Sequence, residues 1–207
     1  MKGLLLKDWY MAKKYCRSFL IIILAFAVSS VFSENNIFIF YPIIMASLLP
    51  VTLISYDERS KWQYYADTMP YKRRDIVTVK YLVMLILLVS VVIFMGTLSS
   101  VKSLVHHDFN LAEIAAFVGN SLILGVFPAS VMLPVIFKFG VEKGRLAYYV
   151  TIGLVFACVF AFSYFSANNQ FMKFITESFH AFIPIAAILL FGFSWFLSIK
   201  FYEKREL

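Results

Sequence analysis

The sequence predicts an all-α polytopic membrane protein: six transmembrane helices, an N-terminal interfacial helix, short cytoplasmic helices between spans, and both termini in the cytoplasm. Three observations lead there. Of 207 residues, 61% are hydrophobic and only 15% charged, against roughly 45–50% apolar and about 25% charged in a soluble domain. Six apolar stretches approach the roughly 20 residues that cross a bilayer. The basic residues also segregate, with 17 of the 19 Lys and Arg on the terminal segments and alternate connections, which by the positive-inside rule are cytoplasmic. The formal charge of +7 therefore reports topology, and no nucleic-acid partner is expected.

Residues 2–17 open the chain as an amphipathic helix. At about 100° per residue, Lys2, Lys7, Lys13, Lys14 and Arg17 gather in one arc and Leu4, Leu5, Trp9, Met11, Ala12 and Tyr15 in the other, with Asp8 stranded on the apolar side. Such a helix either anchors on anionic lipid or relays motion. Spans are expected over residues 18–33, 37–56, 76–101, 114–137, 146–165 and 181–201. The first is short and follows five basic residues, as a signal peptide does. Ser29, Ser30 and Ser33 make no convincing cleavage site, so it reads as a retained span. The whole chain, residues 1–207, is one membrane domain.

Residues 57–75 spend 19 positions where a connection needs about 4–6. Within them Trp62, Tyr65, Ala66 and Met69 recur at i, i+3, i+4 and i+7, an apolar stripe on a short helix. Asp57 and Ser60 can cap its start, Pro70 stops it, and Asp75 suits the N-cap of the third span. A helix rich in Trp and Tyr either docks on a soluble partner or lies on lipid headgroups. Residues 138–146 form a second, shorter cytoplasmic loop around Gly140 and Gly144.

Catalytic chemistry is sparse. No Gly-rich phosphate loop, H-E-x-x-H or G-x-S-x-G occurs, so the chain itself is not an enzyme and holds no nucleotide. Every acidic residue falls in a loop or near a span boundary, which disfavours ion-coupled transport. His106, His107 and Asp108 could meet a metal, but adjacent histidines rarely converge on one ion without a further defined ligand; His180 stands alone. Neither a metal nor a cofactor is expected. Cys16 and Cys158 are read as unpaired. Pro42, Pro50, Pro128, Pro134 and Pro184 free backbone carbonyls and permit kinks, fitting either a moving pathway for apolar cargo or static packing. Residues 166–180 read as a short external or re-entrant helix.

The opening Met1-Lys2-Gly3-Leu4-Leu5-Leu6-Lys7-Asp8-Trp9-Tyr10 is followed by Tyr56-Asp57-Glu58 with Trp62. Then comes Met69-Pro70-Tyr71-Lys72-Arg73-Arg74-Asp75-Ile76-Val77, before Lys80-Tyr81. Across essentially the whole chain this pattern resembles the small ABC-2-type (ATP-binding cassette) exporter permeases. Within them it is most similar to the short permeases related to the phenol-soluble modulin exporter of Gram-positive bacteria. The resemblance implies a permease subunit in a bacterial plasma membrane, exporting an amphipathic or hydrophobic cargo. It implies pairing with a second copy or a paralogue, and a separate cytoplasmic ATPase that binds ATP and Mg. It further implies that residues 1–17 are an elbow helix and that residues 57–75 form the main coupling loop. In that loop Asp57, Glu58, Arg59, Lys61, Trp62, Tyr65, Met69, Arg73, Arg74 and Asp75 would serve the ATPase, Trp62 and Tyr65 as apolar anchors and Asp57, Glu58, Arg59 and Lys61 as a charged rim. Val141, Glu142 and Lys143 would form the second coupling element. A non-transporting membrane scaffold or sensor that recruits a cytoplasmic partner is the alternative.

Overall fold

The computed structural model describes residues 2–15, 17–32, 37–69, 71–105, 111–168 and 182–204, and among these residues every regular element is a helix. In chain order the elements are α1 (Lys2–Tyr15), α2 (Arg17–Phe32), α3 (Ile37–Arg59), α4 (Trp62–Thr68), α5 (Arg73–Val105), α6 (Leu111–Phe139), α7 (Val141–Asn168) and α8 (Phe182–Glu203). Four of them are long and apolar enough to cross a membrane, over Phe40–Arg59, Arg73–Leu104, Ile114–Phe139 and Pro184–Glu203. α2, over Arg17–Ser30, is a shorter apolar helix, and the 28-residue α7 occupies the fifth expected span. Residues 106–108, His180 and most of residues 166–180 lie outside the described residues.

α6 is the centre of the bundle, packing most extensively on α8 and α7, while α2 packs on α3 and α3 on α5. With lipid outside, close approach and polar contacts hold such helices together more than hydrophobicity does. Gly125 of α6 lets α5 in: a Cβ there would stand 2.1 Å from Leu88 Cδ1. Gly144 of α7 does the same for α6, where a Cβ would stand 2.0 Å from Ile136 Cγ1. The kink chemistry expected of proline is visible in α6. Pro134 has no N–H to offer the Ser130 carbonyl, and Ser194 Oγ of α8 donates to that oxygen instead, at 2.6 Å. The Tyr81 hydroxyl of α5 lies 2.7 Å from both Ser194 and Ser198, so one polar chain crosses three helices. Tyr148 of α7 reaches α3 likewise, donating to the Ile44 carbonyl at 2.7 Å beside Ser47.

The two expected connections are shorter than the sequence suggests. α3 runs on to Arg59 and α5 begins at Arg73, so α4 is joined to them by two short links. Asp75 consequently lies in the first turn of α5, two residues past its start, and is not its cap. The second expected loop, residues 138–146, is absorbed by helix. α6 continues to Phe139, α7 starts at Val141, and only Gly140 intervenes, at φ 90°. A left-handed residue reverses the chain there, a conformation that glycine alone adopts without strain.

Candidate functional site

The buried face of α1 is Leu4, Asp8 and Ala12, at i, i+4 and i+8. Asp8, which looked misplaced in the apolar arc, is 2% exposed and sits at the middle of that face. Opposite it stands Lys80, 5% exposed, about 10 Å along α5 from Arg73 at 1.5 Å per residue. Lys80 Nζ donates to Asp8 Oδ1 at 2.8 Å and to Asp57 Oδ2 at 2.6 Å. Lys7 Nζ closes the group, 2.5 Å from Asp57 Oδ1 and 3.6 Å from Asp8 Oδ1. Two ammoniums and two carboxylates thus form a neutral cluster that ties α1 to the end of α3 and to α5. Desolvation makes such charges costly unless each is paired, and here each is. Burial, with the nearby Lys80 ammonium, holds the Lys7 pKa below the ordinary lysine value, outweighing the attraction of Asp57 and Asp8.

Lys7 Nζ also stands 4.1 Å from the centre of the Trp62 ring, a cation–π contact that extends the cluster to α4. The helix turns Trp62 and Ala66 inward, Trp62 against the main core and Ala66 buried within it. Tyr64 and Tyr65 project outward at 59% and 63% exposure, with Met69 beside them at 39%. The expected stripe therefore splits, because a seven-residue helix packed on one side cannot keep four such residues on a single free face. Lys61 precedes α4 in the left-handed region, φ 52°, with no side-chain cap. Neither expected cap serves: Asp57 belongs to the ion cluster, and Ser60 Oγ donates to the Asp57 carbonyl at 3.2 Å. Asp57 is only 3% exposed, so it faces into the chain and not onto an outer rim. Arg59 and Lys61 are exposed. Arg73 and Arg74 reach the end of α8, Arg73 donating to the Glu203 carbonyl at 3.3 Å and Arg74 Nε pairing with Glu203 Oε1 at 2.7 Å.

The two sets of residues singled out in the sequence meet at Glu58. Its Oε2 accepts the N–H of Val141 at 3.3 Å, placing a carboxylate at the N-terminus of α7, where the helix dipole favours it. Between them opens a cleft of about 520 Å³. One wall is Glu58, Lys61 and Tyr64; the other is the joint from Phe139 to Lys143. Val141 is buried, while Glu142 and Lys143 are exposed. Sequence reasoning passed over Lys7, Asp8, Lys80, Tyr64 and Phe139 as site residues. The signals were present in an acid on an apolar arc and a lysine in the second turn of an apolar helix.

The arrangement sets aromatic rings beside charges of both signs at the rim of the cleft. Among the described residues no group of three His, Cys, Asp or Glu side chains could hold a metal.

The chain matches the family described as ABC-2 family transporter protein over residues 3–203. No curated protein and no solved structure matches it. Since that family match runs almost from end to end, and four helices are suited to the bilayer, the chain belongs to the ABC-2 transporter family, as a membrane permease component of an ABC transporter.

Proposed function

We propose that the chain is the permease subunit of an ATP-driven exporter in a bacterial plasma membrane, moving an amphipathic or hydrophobic cargo such as a peptide, toxin or antibiotic-like molecule out of the cell. Six spans, α2, α3, α5, α6, α7 and α8, place both termini and α4 on the cytoplasmic side, where 17 of 19 basic residues then lie. A cytoplasmic ATPase with bound ATP and Mg docks there, and a second copy or a paralogue completes the pathway. The observation that carries this reading is the junction of the two coupling elements. Glu58 at the end of α3 and Val141 at the start of α7 share a hydrogen bond, so one docked partner pushes on both. Tyr64 and Tyr65 are its apolar handholds, while Trp62 transmits load through Lys7 to the ion cluster.

Reconstitution of the permease with its ATPase tests this. The double variant Tyr64→Ala/Tyr65→Ala is expected to weaken complex formation by several hundredfold, since buried aromatic anchors are worth about 2 kcal/mol each. Cargo-stimulated ATP hydrolysis is expected to fall with it. Trp62→Ala is expected to uncouple hydrolysis from export while binding persists. Unchanged assembly and unchanged hydrolysis in both variants would remove the coupling assignment. Assembly without any cargo-dependent hydrolysis in the native protein would favour a scaffold.

A further inference from the structure

A second concavity lies away from the cleft, between α6 and α8. Val131, Val135, Leu190, Phe193 and Leu197 line a groove of about 310 Å³. That is the lower end of the roughly 300–1,000 Å³ of small-molecule sites, a size for one hydrocarbon chain. Both walls belong to helices apolar and long enough to span a bilayer, where a groove that opens outward meets lipid. Its polar groups along the length are already satisfied, Ser194 Oγ by the Ser130 carbonyl and the Tyr81 hydroxyl.

One end is different. Lys138, Phe139 and Phe201 close it. Lys138 Nζ stands 4.8 Å from the centres of both rings, and Lys143 Nζ stands 5.2 Å from that of Phe139. Among the described residues neither ammonium is paired with a carboxylate. An apolar trough ending at the uncompensated Lys138, with the Lys143 ammonium beside it against the Phe139 ring, is complementary to an acyl chain that ends in a phosphate. We propose that this groove binds one anionic glycerophospholipid of the inner leaflet, its chain along α6 and α8 and its phosphate at Lys138 and Lys143. Phe139 is shared with the cleft, whose wall holds Lys143, so the lipid's headgroup borders the surface assigned to the ATPase. The site rests on the orientation proposed above, but its occupancy is measurable on the permease alone.

The test is native mass spectrometry of the purified permease, incubated with equal amounts of dioleoyl phosphatidylglycerol and dioleoyl phosphatidylcholine. Juxtamembrane lysines are worth about fivefold each toward anionic lipid. One phosphatidylglycerol is therefore expected to be retained per protomer, about thirtyfold in preference to phosphatidylcholine. Lys138→Ala is expected to lower that preference about fivefold, and Lys138→Ala/Lys143→Ala to abolish it, with Lys138→Arg retaining it. Leu197→Trp fills the groove without touching a charge and is expected to expel both lipids; an unchanged thermal midpoint confirms that each variant is folded. Equal retention of the two lipids in the native protein, or an anionic preference that survives the double lysine change, overturns the proposal. So does a groove that takes up an amphipathic peptide while refusing lipid. Failure of ATPase assembly with lipid selectivity intact would count against the coupling reading and leave this site standing.

Discussion

Replacing Lys80 with Met removes one ammonium from a closed neutral set. Its Nζ makes two charge-assisted hydrogen bonds, at 2.8 and 2.6 Å, with its side chain 6% exposed. Without it Asp8, 2% exposed, is left with Lys7 at 3.6 Å as its nearest ammonium, and the cluster carries an uncompensated negative charge. Breaking a buried pair in this way costs about 3–5 kcal/mol. At about 2–4 °C per kcal/mol for a chain of this size, the thermal midpoint in detergent is expected to fall by roughly 6–20 °C. Lys80→Met/Asp8→Asn restores neutrality with the Lys7–Asp57 pair intact and is expected to recover at least half of the loss. Arg74→Ala, which opens the exposed pair with Glu203 at 68% and 40% side-chain exposure, is the control and is expected to change the midpoint little. A double variant no more stable than Lys80→Met alone would refute the reasoning, because the penalty would then not be electrostatic.

Three further outcomes follow from the packing and the titration of the same region. Gly125→Ala forces a Cβ to within 2.1 Å of Leu88 and is expected to destabilise by about 1–3 kcal/mol; adding Leu88→Ala is expected to relieve that clash, giving a non-additive cycle in thermal unfolding. Gly140→Ala meets Glu58 Oε1 at only ordinary contact distance, 3.6 Å, so its cost is that of the backbone at φ 90°. That cost is about 1–2 kcal/mol, and Gly140→Asn is expected to lose less. The Lys7 pKa is lowered in the fold, so the unfolded chain holds this proton more tightly. Between the folded value and 10.5 the unfolded state then binds more protons, and this lysine's contribution to stability rises with pH. The stability of the native protein minus that of Lys7→Met, followed by denaturation across that window, should rise with pH; a fall would place the pKa shift in the other direction.

Four of the expected spans were legible because lipid demands about 20 apolar residues in a row, a requirement that leaves a mark in any single sequence. α1 was legible as an amphipathic helix for a related reason, since one face meets water. What the periodicity could not convey was the partner of each face. Asp8 reads as an imperfection until Lys80, in a helix two spans away, supplies the reason for an acid on an apolar arc. The α4 stripe was found, but a sequence spacing cannot say which members of a stripe meet their own chain and which meet another. Trp62 and Ala66 went inward, Tyr65 and Met69 outward, and the neighbouring Tyr64 joined the outer set. The second connection misled for a different reason. Polar residues with two glycines read as a loop, whereas here one glycine suffices to reverse two helices, and Glu58 satisfies the start of the second.

The ion cluster also joins residues that are made far apart in time. Asp8 and Lys80 are 72 residues apart in the chain, and synthesis at about 5–20 residues per second separates their emergence by roughly 4–14 s. Throughout that interval the acid of Asp8 has no counter-ion in α5. The Lys7–Asp57 pair can form once α3 has emerged, but the four-charge set closes only when Lys80 arrives. A chain truncated before residue 80 would therefore lack the one ammonium that pairs with both Asp8 and Asp57.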